Sequence, residues 1–171
     1  MTKVVLSIGS NLGDRLALLQ SVVDGLGGAV VAISPVYEAD PWGGVEQGPF
    51  LNAVLVADDP AGDARSWLAR GHELERAGGR VREQRWGPRT LDVDLISCYD
   101  GRREIVCDDV ELTLPHPRAH LRAFVLTPWL DVEPHAALTV EGAAQPVDTL
   151  LAGLSPADRA SVRLTPLTLD R

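Results

Sequence analysis

Apolar residues alternate at the start of the chain, with Val4, Leu6 and Ile8 on one side, which predicts a strand over 3–8 that stops at Gly9-Ser10-Asn11. The spacing then becomes that of a helix: Asp14 caps it, Leu16, Leu19, Val23 and Leu26 form one stripe, and Gly27-Gly28 ends it. A second strand is read over 30–37, a Pro/Gly loop over 39–44 and a third strand over 50–57. Asp59-Pro60 reads as a cap followed by proline at the first helical position. It opens a second helix to about Ala77, with Ala64, Trp67, Leu68, Gly71 and Leu74 inward and Gly78-Gly79 as its stop. A fourth strand over 91–99 and an Asp100-Gly101 hairpin turn follow. This order predicts an α+β fold, a ferredoxin-like split βαββαβ sandwich with a mainly antiparallel sheet. A C-terminal extension adds short helices near 117–124 and 147–154. Leu150, Leu151 and Leu154 are expected to cap the core there, and 143–171 shows no chemistry of its own.

Composition narrows the function. A chain of 171 residues with 45% hydrophobic content suits one domain over 1–171. A net charge of -8 argues against nucleic acid or a membrane surface as partner, so any anion site must be local. The N-terminus lacks a leader-like apolar run, and nowhere do about 18 apolar residues run together, so the expectation is a cytoplasmic protein. Cys98 and Cys107 sit near the expected hairpin as possible cross-strand neighbours, and are read as two small buried or half-buried thiols.

The candidate chemistry lies in RWGPRTLDVDLI, residues 85–96. Asp92 and Asp94 on one strand project to the same face with Cα atoms roughly 7 Å apart. Aspartate is a poor strand former, and two neighbouring carboxylates need a positive charge between them. Oxygen donors with few other ligands suit Mg²⁺, which takes its remaining ligands from water and substrate phosphates. Just upstream, Arg80, Arg82, Arg85 and Arg89 supply guanidinium forks for phosphate oxygens. Acids for a metal beside arginines for phosphate form the layout of phosphoryl transfer, where positioning and charge neutralisation dominate. A polar strand face turned to water and a solvated basic loop are the plainer alternatives. Gly9-Ser10-Asn11-Leu12-Gly13 lacks the lysine and spacing of a P-loop.

Residues 85–96 resemble the signature of the 6-hydroxymethyl-7,8-dihydropterin pyrophosphokinases of folate biosynthesis. Ile8-Gly9-Ser10-Asn11-Leu12-Gly13, Phe50-Leu51-Asn52-Ala53 and Leu114-Pro115-His116-Pro117 are similar to other family segments and occur in the family's order. The resemblance implies a monomer that transfers the pyrophosphoryl group of MgATP to the pterin hydroxymethyl oxygen and releases AMP. It implies that Asp92 and Asp94 hold two Mg²⁺ ions, and that one of them eases proton removal from the alcohol. Arg80 and Arg89 would join them in catalysis. Phe50 and Phe124 would wall the pterin, Asn52 would read its edge, and Asp92 would touch it. Ala39, Asp40 and Trp42 would close over it. ATP would fall to His72, Glu75, Arg82, Trp86, Arg89, Leu95, Thr113, His116 and Arg122. Pro117, Glu111 and His72 depart from the family pattern, and the arginine loop is one residue shorter than in some relatives.

Two other classes share parts of this pattern. A ferredoxin-like ligand- or RNA-binding module would need exposed sheet aromatics on a basic surface, whereas this chain is acidic and 5% aromatic. A metal-dependent phosphoesterase would use the same acid pair with a water-activating base and further acidic ligands. Neither accounts for Phe50, Asn52 and Phe124 together with the arginines.

Overall fold

The central strand β1, Thr2–Ser10, lies between β4, Phe50–Asp59, and β5, Asp92–Asp100, antiparallel to both. The computed structural model describes residues 1–41, 46–79 and 90–171. In chain order the remaining elements of the first half are α1, Arg15–Leu26; β2, Val30–Ile33; β3, Tyr37–Ala39; and α2, Ala64–Ala77. After β5 come β6, Arg103–Glu104; β7, Cys107–Asp108; β8, Thr113–Leu114; α3, Ala123–Val132; β9, Ala137–Val140; β10, Ala143–Pro146; α4, Val147–Ala152; α5, Pro156–Ala160; and β11, Val162–Leu164. The main sheet runs β11-β3-β4-β1-β5-β6, with β2 also paired to β4. This is the split βαββαβ order expected for a ferredoxin-like sheet.

Several boundaries move. The expected strand over 30–37 is two strands: Ile33 pairs with Leu55 and Tyr37 with Asn52, so three residues stand opposite two. Pro35 has no donor for the ladder, and Ser34 takes over by exchanging hydrogen bonds with Val54 through its backbone N–H and its hydroxyl. Asp59-Pro60 does not open the second helix. Thr2 still pairs with Asp59, and the helix begins beyond Asp63, whose carboxylate and Ser66 cap each other reciprocally. The helix expected over 117–124 is a 3-10 turn, Ala119–Leu121, followed by α3, which the sequence reading missed because Pro128 lies inside it. That proline forgoes one helical hydrogen bond, yet the helix persists because Val125, Leu126 and Trp129 are buried. The β9-β10 hairpin and β11 were also unforeseen. Cys98 and Cys107 are free thiols, and Cys107 pairs across from Leu114 rather than beside Cys98.

Two cores hold the sheet from opposite sides. Val4, Leu6 and Ile8 of β1, Leu51, Ala53 and Leu55 of β4, and Val93 and Leu95 of β5 pack against α1 and α2. The two helices approach closely at Gly25, where a Cβ would sit 2.4 Å from Leu74 Cδ2. On the other face, Val5, Val54 and Ile96 meet Ala119, Val125, Leu126, Trp129, Leu138 and Val147, with Leu150, Leu151 and Leu154 packed alongside as expected.

A β-bulge separates the two halves of β5. Val5 pairs with Ser97 but Leu6 with Leu95, so Ile96 is the extra residue. The outer edge of β5 is satisfied piecemeal: Val93 N–H donates to Glu75 Oε2 at 3.3 Å, Ile96 O accepts from His116 N–H at 2.8 Å, and Cys98 O from Ile105 N–H at 2.8 Å. These bonds bring α2 and the 115–118 turn up to the strand that carries the acids.

Candidate active site

Three adjacent strands deliver the predicted residues to one end of one sheet face. Because alternate residues of β4 enter the helix-side core, Phe50 and Asn52 point the other way with Val54. By the same alternation Asp92 and Asp94 share that face. The register places Asn52 and Asp92 on either side of Gly9, and Val54 and Asp94 on either side of Ser7. Asn52 and Asp92 are thus two strand spacings apart, about 10 Å. At the start of α3, Arg122 and Phe124 reach the same end of the face, with the Arg122 guanidinium 5.5 Å from the Phe124 ring centroid and 3.7 Å from Asp94 Oδ2.

The small residues Ser7 and Gly9 form the floor, and sequence reasoning did not mark them as functional. Their signal is the decline in size along the positions of the first strand that face away from α1 and α2, Val5, Ser7 and Gly9. A Cβ on Gly9 would lie 2.6 Å from Asn52 Nδ2, so only glycine lets that amide lie flat across β1. Asn52 is 5% exposed, its Nδ2 reaches Ile8 O at 3.4 Å, and its Oδ1 finds no hydrogen-bond partner among the described residues. A buried acceptor left without a donor costs about 1–3 kcal/mol, which a ligand with N–H groups would recover. Gly9→Ala is expected to displace Asn52 and, if this face takes the pterin that the resemblance implies, to raise the pterin dissociation constant about tenfold with little change in nucleotide affinity, read by calorimetry for each ligand separately.

His116 is held by its backbone bond to Ile96 and by its ring, whose Nδ1 accepts the Arg118 backbone N–H at 3.1 Å. Burial first, then Arg122 and Arg118, push its pKa down to about 4. The neutral ring with Nδ1 accepting carries its proton on Nε2, free to donate to an anionic oxygen. An NMR titration should show His116 neutral above about pH 5. Because the folded value lies below the unfolded one, near 6.5, this group's contribution to stability falls as pH drops from about 6.5 towards 4.

The residues read as nucleotide-binding divide between places. His72 and Glu75 line a cleft of about 650 Å³ with Arg65, Leu68, Ala69, Arg76 and Glu111, beside the outer edge of β5. Glu75 is 3% exposed and Glu111 lies 3.6 Å from Arg65. Thr113 stands half-buried on β8, and Leu95, 5% exposed, belongs to the helix-side core. Ala39 closes β3 and Asp40 follows it, its carboxyl held below the usual range by Arg163. Trp42, Arg80, Arg82, Trp86 and Arg89 lie outside the described residues.

Asp92 and Asp94 fit a hard divalent cation by their donor atoms, two half-buried carboxylates on one face. Among the described residues no third His, Cys, Asp or Glu converges on them, so a cation there would fill its shell with water and phosphate oxygens.

These groups gather at one end of one face of a ferredoxin-like sheet. Residues 5–134 match the family described as 7,8-dihydro-6-hydroxymethylpterin-pyrophosphokinase (HPPK), and the chain belongs to that family, the pyrophosphokinases of folate biosynthesis. The 2-amino-4-hydroxy-6-hydroxymethyldihydropteridine pyrophosphokinase of Mycobacterium bovis is 66% identical over 169 residues, 96% of this chain and 90% of that one. The enzyme of the same name from Mycobacterium leprae is 66% identical over 175 residues, 99% and 92% respectively. A crystal structure of Plasmodium falciparum HPPK-DHPS with SDX-DHP superposes with a TM-score of 0.60 at 14% identity, covering 88% of this chain. This chain spans 44% of that longer one, and the likeness shows the fold alone.

Proposed function

We propose that this face transfers the β,γ-pyrophosphoryl group of ATP to the hydroxymethyl oxygen of 6-hydroxymethyl-7,8-dihydropterin, releasing AMP. The observation that carries the assignment is the buried, donor-seeking Oδ1 of Asn52, one glycine away from the acid strand. Asn52 accepts from the pterin's pyrimidinone edge, while half-buried Phe50 and Phe124 offer faces to its rings. Ala39, Asp40 and Trp42 close the pterin side. The alcohol is thereby directed towards Asp92 and Asp94.

Asp92 and Asp94 would hold two Mg²⁺ ions, which would supply charge neutralisation for the phosphate oxygens. One of the two carboxylates also takes the proton of the attacking alcohol. His116 donates Nε2–H to a phosphate oxygen, and Arg122, already beside Asp94, supplies a fixed positive charge. Arg80, Arg82 and Arg89 add guanidinium contacts to the triphosphate, and Trp86 borders the nucleotide. His72 and Glu75 border the nucleotide from the cleft beside α2, and Leu95 and Thr113 border it from β5 and β8. Residues 1–171 act as one domain, in a cytoplasmic monomer. No helix among the described residues is long and apolar enough to cross a membrane.

The direct test incubates the protein with ATP, Mg²⁺ and the hydroxymethyl pterin and identifies the nucleotide product. AMP with stoichiometric pterin diphosphate supports the proposal. ADP would mean single phosphoryl transfer, and phosphate released without pterin would mean hydrolysis, either of which ends it.

A further inference from the structure

The C-terminal strand β11 lies beyond residues 5–134, where the family description matches, and it pairs with β3 on the side of the site given to the pterin. It pairs with β3 in the register Val162 to Ala39, Arg163 to Glu38 and Leu164 to Tyr37. Just past β3, Asp40 N–H donates to Ser161 O at 3.0 Å. Arg163 then grips the Asp40 carboxylate with both terminal nitrogens, at 3.3 and 3.0 Å, and lies 3.7 Å from Glu38.

From the other side, Arg15 at the start of α1 reaches Glu38 at 3.3 Å and donates to Pro49 O at 3.0 Å. Asn11 Nδ2 donates to Gln47 Oε1 at 2.8 Å and to Gly48 O at 2.9 Å. The relay Asp40, Arg163, Glu38, Arg15 and Pro49 therefore ties together the two stems of the β3–β4 connection. Those stems carry Ala39 and Asp40 at one end and Phe50 at the other.

An isolated exposed ion pair contributes little. Here one guanidinium is bidentate, a second shares its glutamate, and both fix backbone next to binding residues, so the worth of the relay lies in preorganisation rather than in global stability.

We propose that Arg163 is a positioning residue for the pterin: through Asp40 and Glu38 it holds the two stems at the spacing that the ring requires. The inference rests on the assignment of Ala39, Asp40 and Phe50 to the pterin. Loss of the clamp leaves a looser pocket, so pterin affinity falls while nucleotide affinity and the chemical step are retained.

The experiment measures, for Arg163→Ala, Arg163→Lys, Asp40→Ala and the Arg163→Ala/Asp40→Ala double variant, the dissociation constants of 6-hydroxymethyl-7,8-dihydropterin and of a nonhydrolysable MgATP analogue. Phe124→Ala serves as the control for the pocket. Arg163→Ala should raise the pterin constant roughly three- to tenfold with the nucleotide constant unchanged. Arg163→Lys should recover part of the loss, and the double variant should be no worse than the weaker single one. An Arg163→Ala pterin constant within twofold of wild type, or an equal loss of nucleotide affinity, overturns the clamp. If pterin binding is unchanged in Phe124→Ala as well, the pocket assignment falls with it; if Phe124→Ala alone weakens binding, the pocket stands without the clamp.

Discussion

Asp94→Asn is expected to lower kcat by at least about a hundredfold while the protein still folds, the scale seen when one preorganised charge stabiliser is removed. The substitution is isosteric and the side chain is 33% exposed, so packing changes little. What is lost is a negative charge on the face shared with Asp92, and with it the grip on a divalent cation. Arg122, only 8% exposed, loses a carboxylate at 3.7 Å, which alters the charge balance beside the triphosphate and so its alignment. A Mg²⁺ titration of the rate separates these effects, because raised Mg²⁺ restores a weakened site but not a misaligned one. Wild-type turnover at ordinary Mg²⁺ with the asparagine in place would falsify the role given to this strand.

Asn52→Ala is the counterpart on the pterin side. It should raise the pterin dissociation constant by about ten- to a hundredfold, since the ligand's buried N–H groups would then lack an acceptor. The free protein should lose little stability or even gain some, because the variant removes an acceptor that the fold itself leaves unsatisfied. A structural asparagine would behave in the opposite way, with a lower unfolding midpoint and intact binding. Thermal unfolding with and without the pterin therefore distinguishes the two roles.

The acid strand and its neighbours were legible because alternation is a local property: Leu91, Val93 and Leu95 against Asp92 and Asp94 can be read without knowing the partners. The same holds for Val4, Leu6 and Ile8 and for the cap at Asp14, whose side chain does accept from Ala17 N–H. Convergence was not legible from pattern. Arg122 meets Asp94, with Phe124 beside it, only because α3 forms despite Pro128, a signal that reads locally as a break. Glu75, charged yet 3% exposed, came from the resemblance and not from the helical stripe. Its burial follows from a long-range bond to Val93 N–H that no local window contains. β11 was missed for the same reason: three residues have no strong period, and their pairing with β3 spans more than a hundred positions of chain.

The extra residue at Ile96 gives one strand two phases. Before it, odd-numbered positions belong to hydrocarbon and even-numbered ones to ligand; after it the order is inverted, with Cys98 inside the helix-side core and Ser97 facing away. Trading Ile96 for another apolar side chain keeps both phases, but shortening the strand there by a single position sets them in conflict. Either the carboxylates rotate into grease or the far half of the strand turns inside out, so length rather than identity is what this stretch must conserve.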